Sequence, residues 1–345
     1  MSRVLVTGGT GFLGMEVVRQ LVARGDEVRV LSRTASPQLA ELGVTLIAGD
    51  VVRDGDTPES TPVGTTRRGA AGRPSLDSAF TGCDAVLHLA GFVSRDPDDG
   101  QRMMRLHVDG TRRVLGLAAR AGVRRVVVAS TSGTIAVSRE PEPILDERAP
   151  YPIAIVGEWP YYLSKIYEEK LALSYGRELG LEVVIVNPSL LLGPGDARQS
   201  STGDIRRYLD GDLPVVPSGG LSFIDVRDAA TATIHAIGAR PYERYLLGGP
   251  NCTFAELFAR VGRIARDRPL QLRLPGNVQI RAASIWDRVV RATGRKPKLD
   301  SVGVQMAQLF WYCDAGKAVR ELGLEIRDPQ ETLADTIKDL RARQL

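Results

Sequence analysis

Tyr161 and Lys165 stand four residues apart, directly after Pro160, in a stretch (Tyr161 to Leu179) whose pattern predicts a helix with the proline in its first turn. Residues at that spacing share one helix face. A tyrosine hydroxyl can give or take a proton at neutral pH when a nearby ammonium stabilises its phenolate, and a lysine one turn along can do so. The same spacing arises by chance on many helices. What gives this pair weight is its setting, after a strand ending in the hydroxyls Ser130-Thr131-Ser132 and downstream of a glycine-rich loop.

That loop reads Thr7-Gly8-Gly9-Thr10-Gly11-Phe12-Leu13-Gly14, between the aliphatic run Val4 to Thr7 and a helical segment, Met15 to Ala23. Gly8, Gly11 and Gly14 have GxxGxxG spacing. The first permits a tight turn, the second lets backbone approach a pyrophosphate, and the third lets helix and strand pack closely. The helix N-terminus then offers free N–H groups to phosphates. Such a loop placed between strand and helix points to a dinucleotide.

The second strand ends Val28-Arg29-Val30-Leu31-Ser32-Arg33, where the adenosine ribose of a dinucleotide would lie. An acidic residue there would accept from the 2′-hydroxyl of NAD. Arg33 stands there instead, and a guanidinium pairs with a 2′-phosphate, so NADP(H) is favoured over NAD(H). The alternative is a solvated loop arginine.

The elements that position these residues follow one rhythm from residue 3 to 130: short aliphatic run, turn, helical segment. This is the pattern of βαβ units around a parallel sheet. Strands are expected at Val4 to Thr7, Glu27 to Ser32, Val44 to Ala48, Ala85 to Leu89, Arg125 to Ser130 and Glu182 to Asn187. Runs such as Val126-Val127-Val128-Ala129 are apolar on both faces, as expected of strands covered on both sides. The stretch Arg53 to Ser75, rich in Gly, Pro, Thr, Ser and Arg, reads as an exposed, mobile insertion. After Pro188 the pattern turns irregular, then helix-rich from Phe254. This half is expected to cover the substrate.

Composition narrows the classes. Hydrophobic residues make up 43% and charged residues 25% of 345, which argues against global disorder. The net charge of +4 comes from scattered rather than clustered basic residues, so no nucleic-acid partner is expected. Cys83, Cys252 and Cys313 have no CxxC or Cys/His spacing, and His88, His107 and His235 no metal-ligand spacing; neither a disulfide framework nor a metal site is expected. Without a signal-peptide pattern or an apolar run of membrane-spanning length, the expectation is a cytoplasmic protein.

Taken together, the motifs resemble the extended short-chain dehydrogenase/reductases of the NAD-dependent epimerase/dehydratase superfamily. The resemblance rests on the glycine loop, Gly49-Asp50-Val51, His88-Leu89-Ala90-Gly91, Ser130-Thr131-Ser132, Tyr161-x-x-x-Lys165 and Asn187-Pro188-Ser189. The segments Arg124 to Val137, Tyr161 to Lys170 and Phe223 to Asp228 are most similar to the dihydroflavonol-reductase-like and 3β-hydroxysteroid-dehydrogenase-like branch. It implies an α/β fold: a Rossmann doubly wound parallel sheet over residues 1–187, with the insertion at 53–75, and a smaller, irregular substrate-binding region over 188–345, from which 223–240 returns to the Rossmann part.

The resemblance also implies roles. Tyr161 would protonate or deprotonate the reacting oxygen, Lys165 would lower its pKa and hold the nicotinamide ribose, and Thr131 would hydrogen-bond the same oxygen, with Ser132 as the alternative. Gly8, Thr10, Gly11, Phe12 and Leu13 would hold the pyrophosphate region, Asp50 and Val51 the adenine, Leu89, Ala90 and Gly91 the cofactor midsection, and Pro188 and Ser189 the nicotinamide amide. A homodimer is a family-level expectation. The implied activity is reduction of a ketone, or oxidation of a secondary alcohol, on a fairly apolar small molecule. A sugar epimerase with retained cofactor and a non-catalytic dinucleotide-binding sensor or scaffold are the alternatives.

Three features depart from common family patterns. His107 precedes Val108-Asp109-Gly110-Thr111 where many relatives have Asn, and is read as a structural replacement, with a new catalyst as the alternative. Leu221-Ser222 stands where nucleotide-sugar enzymes have a diphosphate-binding Arg. Thr131-Ser132-Gly133-Thr134 lacks the Asp-Glu that sugar dehydratases use. Trp286, Phe310, Trp311 and Tyr312 are read as core packing, with a substrate-pocket wall as the alternative.

Overall fold

The computed structural model of the chain describes residues 1–52, 76–213, 215–266, 276, 278, 281 and 301–343. The 53–75 insertion and Trp286 lie outside them. The strands are β1 Arg3–Thr7, β2 Glu27–Ser32, β3 Thr45–Ala48, β4 Ala85–His88, β5 Arg125–Ala129, β6 Glu182–Pro188, β7 Leu190–Leu192, β8 Gly220–Asp225, β9 Arg244–Leu247, β10 Asn251–Thr253 and β11 Phe310–Trp311. Among the helices are α1 Phe12–Ala23, α2 Pro37–Glu41, α3 Leu76–Phe80, α4 Gly100–Met104, α5 Gly110–Arg120, α6 Ile153–Val156, α7 Pro160–Glu178, α8 Gly203–Leu209, α9 Val226–His235 and α10 Phe254–Ala265.

Seven strands form one parallel sheet in the order β3-β2-β1-β4-β5-β6-β9. All six strands expected from the sequence are in it, their ends within a residue or so of expectation. The seventh, β9, comes from beyond the 223–240 stretch. Val4, Leu5 and Val6, and Val126 to Val128, are fully buried because helices cover both faces. Burying side chains of this size contributes roughly 1.5–3 kcal/mol each. The core with α1 and α9 joins Val17, Val18 and Leu21 to Ala229 and Ala230; the core on the other face joins Leu5 and Val126 to Val114, Leu115 and Ala172.

A second, smaller sheet pairs β8 with β7, β10 and β11. Its own core brings together Leu192, Ile205, Phe223, Phe258 and Leu333. Between this sheet and the C-terminal ends of the parallel strands lies a cleft of about 1990 Å³.

Candidate active site

The glycine loop is shaped by close approach. Gly8 has φ +74°, and a Cβ there would sit 2.5 Å from the backbone of Leu89 after β4. A Cβ on Gly14 would sit 2.2 Å from the Gly8 carbonyl oxygen, so α1 packs onto the turn only because both are glycine. Gly11 is the N-cap of α1, with no side chain over its free N–H groups.

Every residue expected to touch cofactor or substrate lines this one cleft. Gly8, Thr10, Gly11, Phe12 and Leu13 follow β1, and Arg33 follows β2. Asp50 and Val51 follow β3, Leu89, Ala90 and Gly91 follow β4, and Thr131 follows β5. Pro188 ends β6, with Ser189 next, and Tyr161 and Lys165 enter from α7. Arg33 is exposed, and no carboxylate among the described residues pairs with it.

The Tyr161 hydroxyl shares the cleft with Thr131 and Ser132. Burial pushes it above its ordinary value, Tyr162 and Glu168 add to the push, and Thr131 opposes it. Lys165 is itself almost wholly buried; its Nζ donates to the Ala129 carbonyl at 2.7 Å and is ion-paired with Glu168. Lys165 is not among the groups that move Tyr161 in this arrangement.

Two buried polar networks hold these groups. In one, Glu169 Oε1 accepts from Ser130 Oγ at 2.5 Å, Thr134 Oγ1 at 2.6 Å and Asn187 Nδ2 at 2.7 Å, while Oε2 faces Arg244 Nη1 at 3.7 Å. This ties the loop carrying Thr131 to α7, β6 and β9. In the other, His107 Nδ1 lies 2.8 Å from Ser164 Oγ, and its Nε2 accepts the Phe92 N–H at 3.1 Å. His107 thus bridges α7 to the segment after β4. Glu168 and Glu169 carry no motif; their signal was two consecutive acids on a helix whose neighbours Ile166 and Ala172 are core residues.

Trp311 answers to both aromatic readings, packing against buried core residues and lining the cleft. It lines the cleft and stacks on Tyr162 at 5.0 Å, with Trp159 at 6.1 Å, while Phe310 and Tyr312 pack against each other outside the cleft lining.

Residues 4–248 match the profile of the NAD dependent epimerase/dehydratase family. The chain belongs to that family. It is 32% identical over 341 residues to a putative dihydroflavonol 4-reductase of Synechocystis, covering 96% of this chain and 92% of the relative. It is 28% identical to a 3-beta-hydroxysteroid dehydrogenase of Mycolicibacterium neoaurum, covering 94% and 87%. The crystal structure of gox2253 superposes with a TM-score of 0.80 at 29% identity over 99% of both chains. As a member of the epimerase/dehydratase family, of the extended short-chain dehydrogenase/reductase type, the protein is an NAD(P)-dependent oxidoreductase.

The cleft fits the cofactor the family implies. The Gly8, Gly11 and Gly14 cradle leaves room that a Cβ would fill, and Ser189 Oγ is buried at the cleft wall with no hydrogen-bond partner. A carboxamide offers what that hydroxyl lacks. Among the described residues, no group of His, Cys, Asp and Glu could hold a metal ion, and no helix is long and apolar enough to cross a membrane.

Proposed function

We propose that the protein is an NADP(H)-dependent oxidoreductase that reduces a ketone, or oxidises the corresponding secondary alcohol, of a fairly apolar small molecule. The observation that carries this reading is the meeting of Tyr161, Thr131, Lys165 and the unpartnered Ser189 hydroxyl in the cleft that begins at the glycine loop.

In this reading Gly8, Thr10, Gly11, Phe12 and Leu13 receive the pyrophosphate, Asp50 and Val51 the adenine, and Leu89, Ala90 and Gly91 the cofactor midsection. Pro188 and Ser189 orient the carboxamide, Lys165 holds the ribose, and Arg33 takes the 2′-phosphate. A bound nicotinamide supplies the hydride or accepts it. Thr131 and Tyr161 hold the substrate oxygen. In reduction the Tyr161 O–H bond breaks and the proton joins that oxygen as hydride reaches its carbon; the tyrosinate regains a proton from solvent.

Residues 188–345, apart from the returning stretch, cover the substrate. Leu213, Val215, Leu221, Met306 and Trp311 line that side of the cleft, which supports an apolar ring-bearing substrate, as do the flavonoid and steroid names of the relatives. Buried, unpaired Cys83, Cys252 and Cys313 fit a cytoplasmic location, and a homodimer follows from the family expectation alone. A screen of apolar ketones, followed at the nicotinamide absorbance with NADPH and NADH in parallel, tests the reading. It predicts turnover with NADPH. Oxidation of nucleotide sugars only, or no cofactor binding, would contradict it.

A further inference from the structure

Lys165 does not meet the cleft as an unpaired cation. Its ion pair with Glu168 is nearly sealed from solvent, the two side chains being 4% and 1% exposed. The other Glu168 oxygen accepts from Thr111 Oγ1 at 3.0 Å. With its proton so committed, Thr111 Oγ1 accepts from Nε2–H of His88 at 3.0 Å. His88 Nδ1 is then left to accept from Thr7 Oγ1 at 2.6 Å, and Thr7 Oγ1 accepts the Ala90 N–H at 3.3 Å. Each donor in this chain points the same way, from the cofactor side of the cleft to Glu168, whose free carboxylate oxygen is the acceptor on which it ends.

We propose that Glu168 is a positioning residue that cancels the charge of Lys165 at Tyr161, so that Tyr161 stands protonated at neutral pH and the site is set to give a proton to a carbonyl oxygen. The proposal rests on the reading of Tyr161 as the proton donor. A lone ammonium one turn away stabilises a phenolate, whereas an ammonium in contact with a carboxylate presents only a dipole, and the carboxylate repels the phenolate. Reduction then runs on the abundant protonated form, and oxidation needs the scarce tyrosinate. The other titratable and charged groups that bear on Tyr161 are Tyr162 on its own helix and His107, edge-on at 5.9 Å, from the 105–109 turn. His88 lies behind Thr111, Arg95, Arg102 and Arg105 line the same cleft, and the 130–134 loop brings only hydroxyls.

The test places a polyfluorinated tyrosine at position 161, whose more acidic phenol titrates while the chain stays folded, and follows it by fluorine NMR against pH. Glu168→Gln keeps an acceptor for Thr111 and should lower the midpoint by about one pH unit or more. In a Lys165→Met background the same change should lower nothing, because a buried carboxylate without its cation carries its own proton. If Glu168→Gln does not fold, Glu168→Met, near it in volume, replaces it. The alkaline limb of the reduction rate should move down with the midpoint. No lowering, or equal lowering in both backgrounds, overturns the proposal. The titration needs no turnover, so a flat cycle beside an inactive Tyr161→Phe removes the role of Glu168 alone, whereas full turnover in Tyr161→Phe removes the reading beneath it.

Discussion

Ser164 Oγ joins His107 to Tyr161: it lies 2.8 Å from the ring nitrogen Nδ1 and donates to the Tyr161 carbonyl at 2.7 Å. Since the serine proton goes to that carbonyl, the histidine must donate through Nδ1, and its Nε2, facing the Phe92 N–H, must stay bare. A second ring proton would abut a donor. Burial, followed by the charges of Lys165 and His88, accordingly pushes the imidazole down to about 2.

His88 is pushed down to about 3 by burial and Lys165, so two histidines fold neutral against an ordinary value of 6.5. Below pH 6.5 the unfolded chain binds protons that the folded chain refuses. Stability from this source is therefore complete above that pH and is lost as pH falls, by about 2 kcal/mol per histidine at about pH 5. Urea unfolding at about pH 7.5 and about pH 5 should show this loss, and His107→Asn should remove close to half of it. An unchanged acid dependence in His107→Asn would show that the ring is not held neutral.

Glu169 makes a different prediction. Its carboxylate serves Ser130, Thr134 and Asn187 and faces Arg244, so Glu169→Ala would strand buried donors and an arginine. The expected cost is about 3–5 kcal/mol, read from the urea midpoint. A loss below about 1 kcal/mol would mean that the network rearranges freely.

The legible parts of the site were those fixed by neighbours in sequence. The glycine loop announces itself because its strand, turn and helix are contiguous, and Tyr161 and Lys165 because one helical turn sets their spacing. Strands β1 to β6 were visible as aliphatic runs. β9 was not: Arg244-Tyr245-Leu246-Leu247 is short, and only its pairing beside β6 makes it a strand. Glu168 left only the faint signal of an acid beside core positions, since its hydrogen-bond partner Thr111 is 57 residues away. Whether a helical acid faces water or a buried cation is decided by tertiary packing, which no local pattern encodes. Trp311 reaches the cleft for the same reason, through the pairing of β11 with β8.

The proposed preference for NADP(H) rests on Arg33. A 2′-phosphate loses its guanidinium partner in Arg33→Ala, whereas the NADH hydroxyl loses little. Fluorescence titration should show NADPH weakened by about 1.5–3 kcal/mol and NADH almost unchanged. Equal losses for both cofactors, or a wild-type preference for NADH, would make Arg33 a solvated loop residue.

The central claim is that Tyr161 exchanges the proton with the substrate oxygen, and it is tested most directly by comparing Tyr161→Phe with Tyr162→Phe on a ketone that the wild-type chain reduces. Both changes remove one hydroxyl and keep the ring. Tyr161→Phe should lower turnover by roughly 10² or more, the scale of general acid catalysis, with NADPH affinity nearly unchanged, while Tyr162→Phe stays near wild type. Near-normal turnover in Tyr161→Phe, or its abolition in Tyr162→Phe instead, would contradict the account.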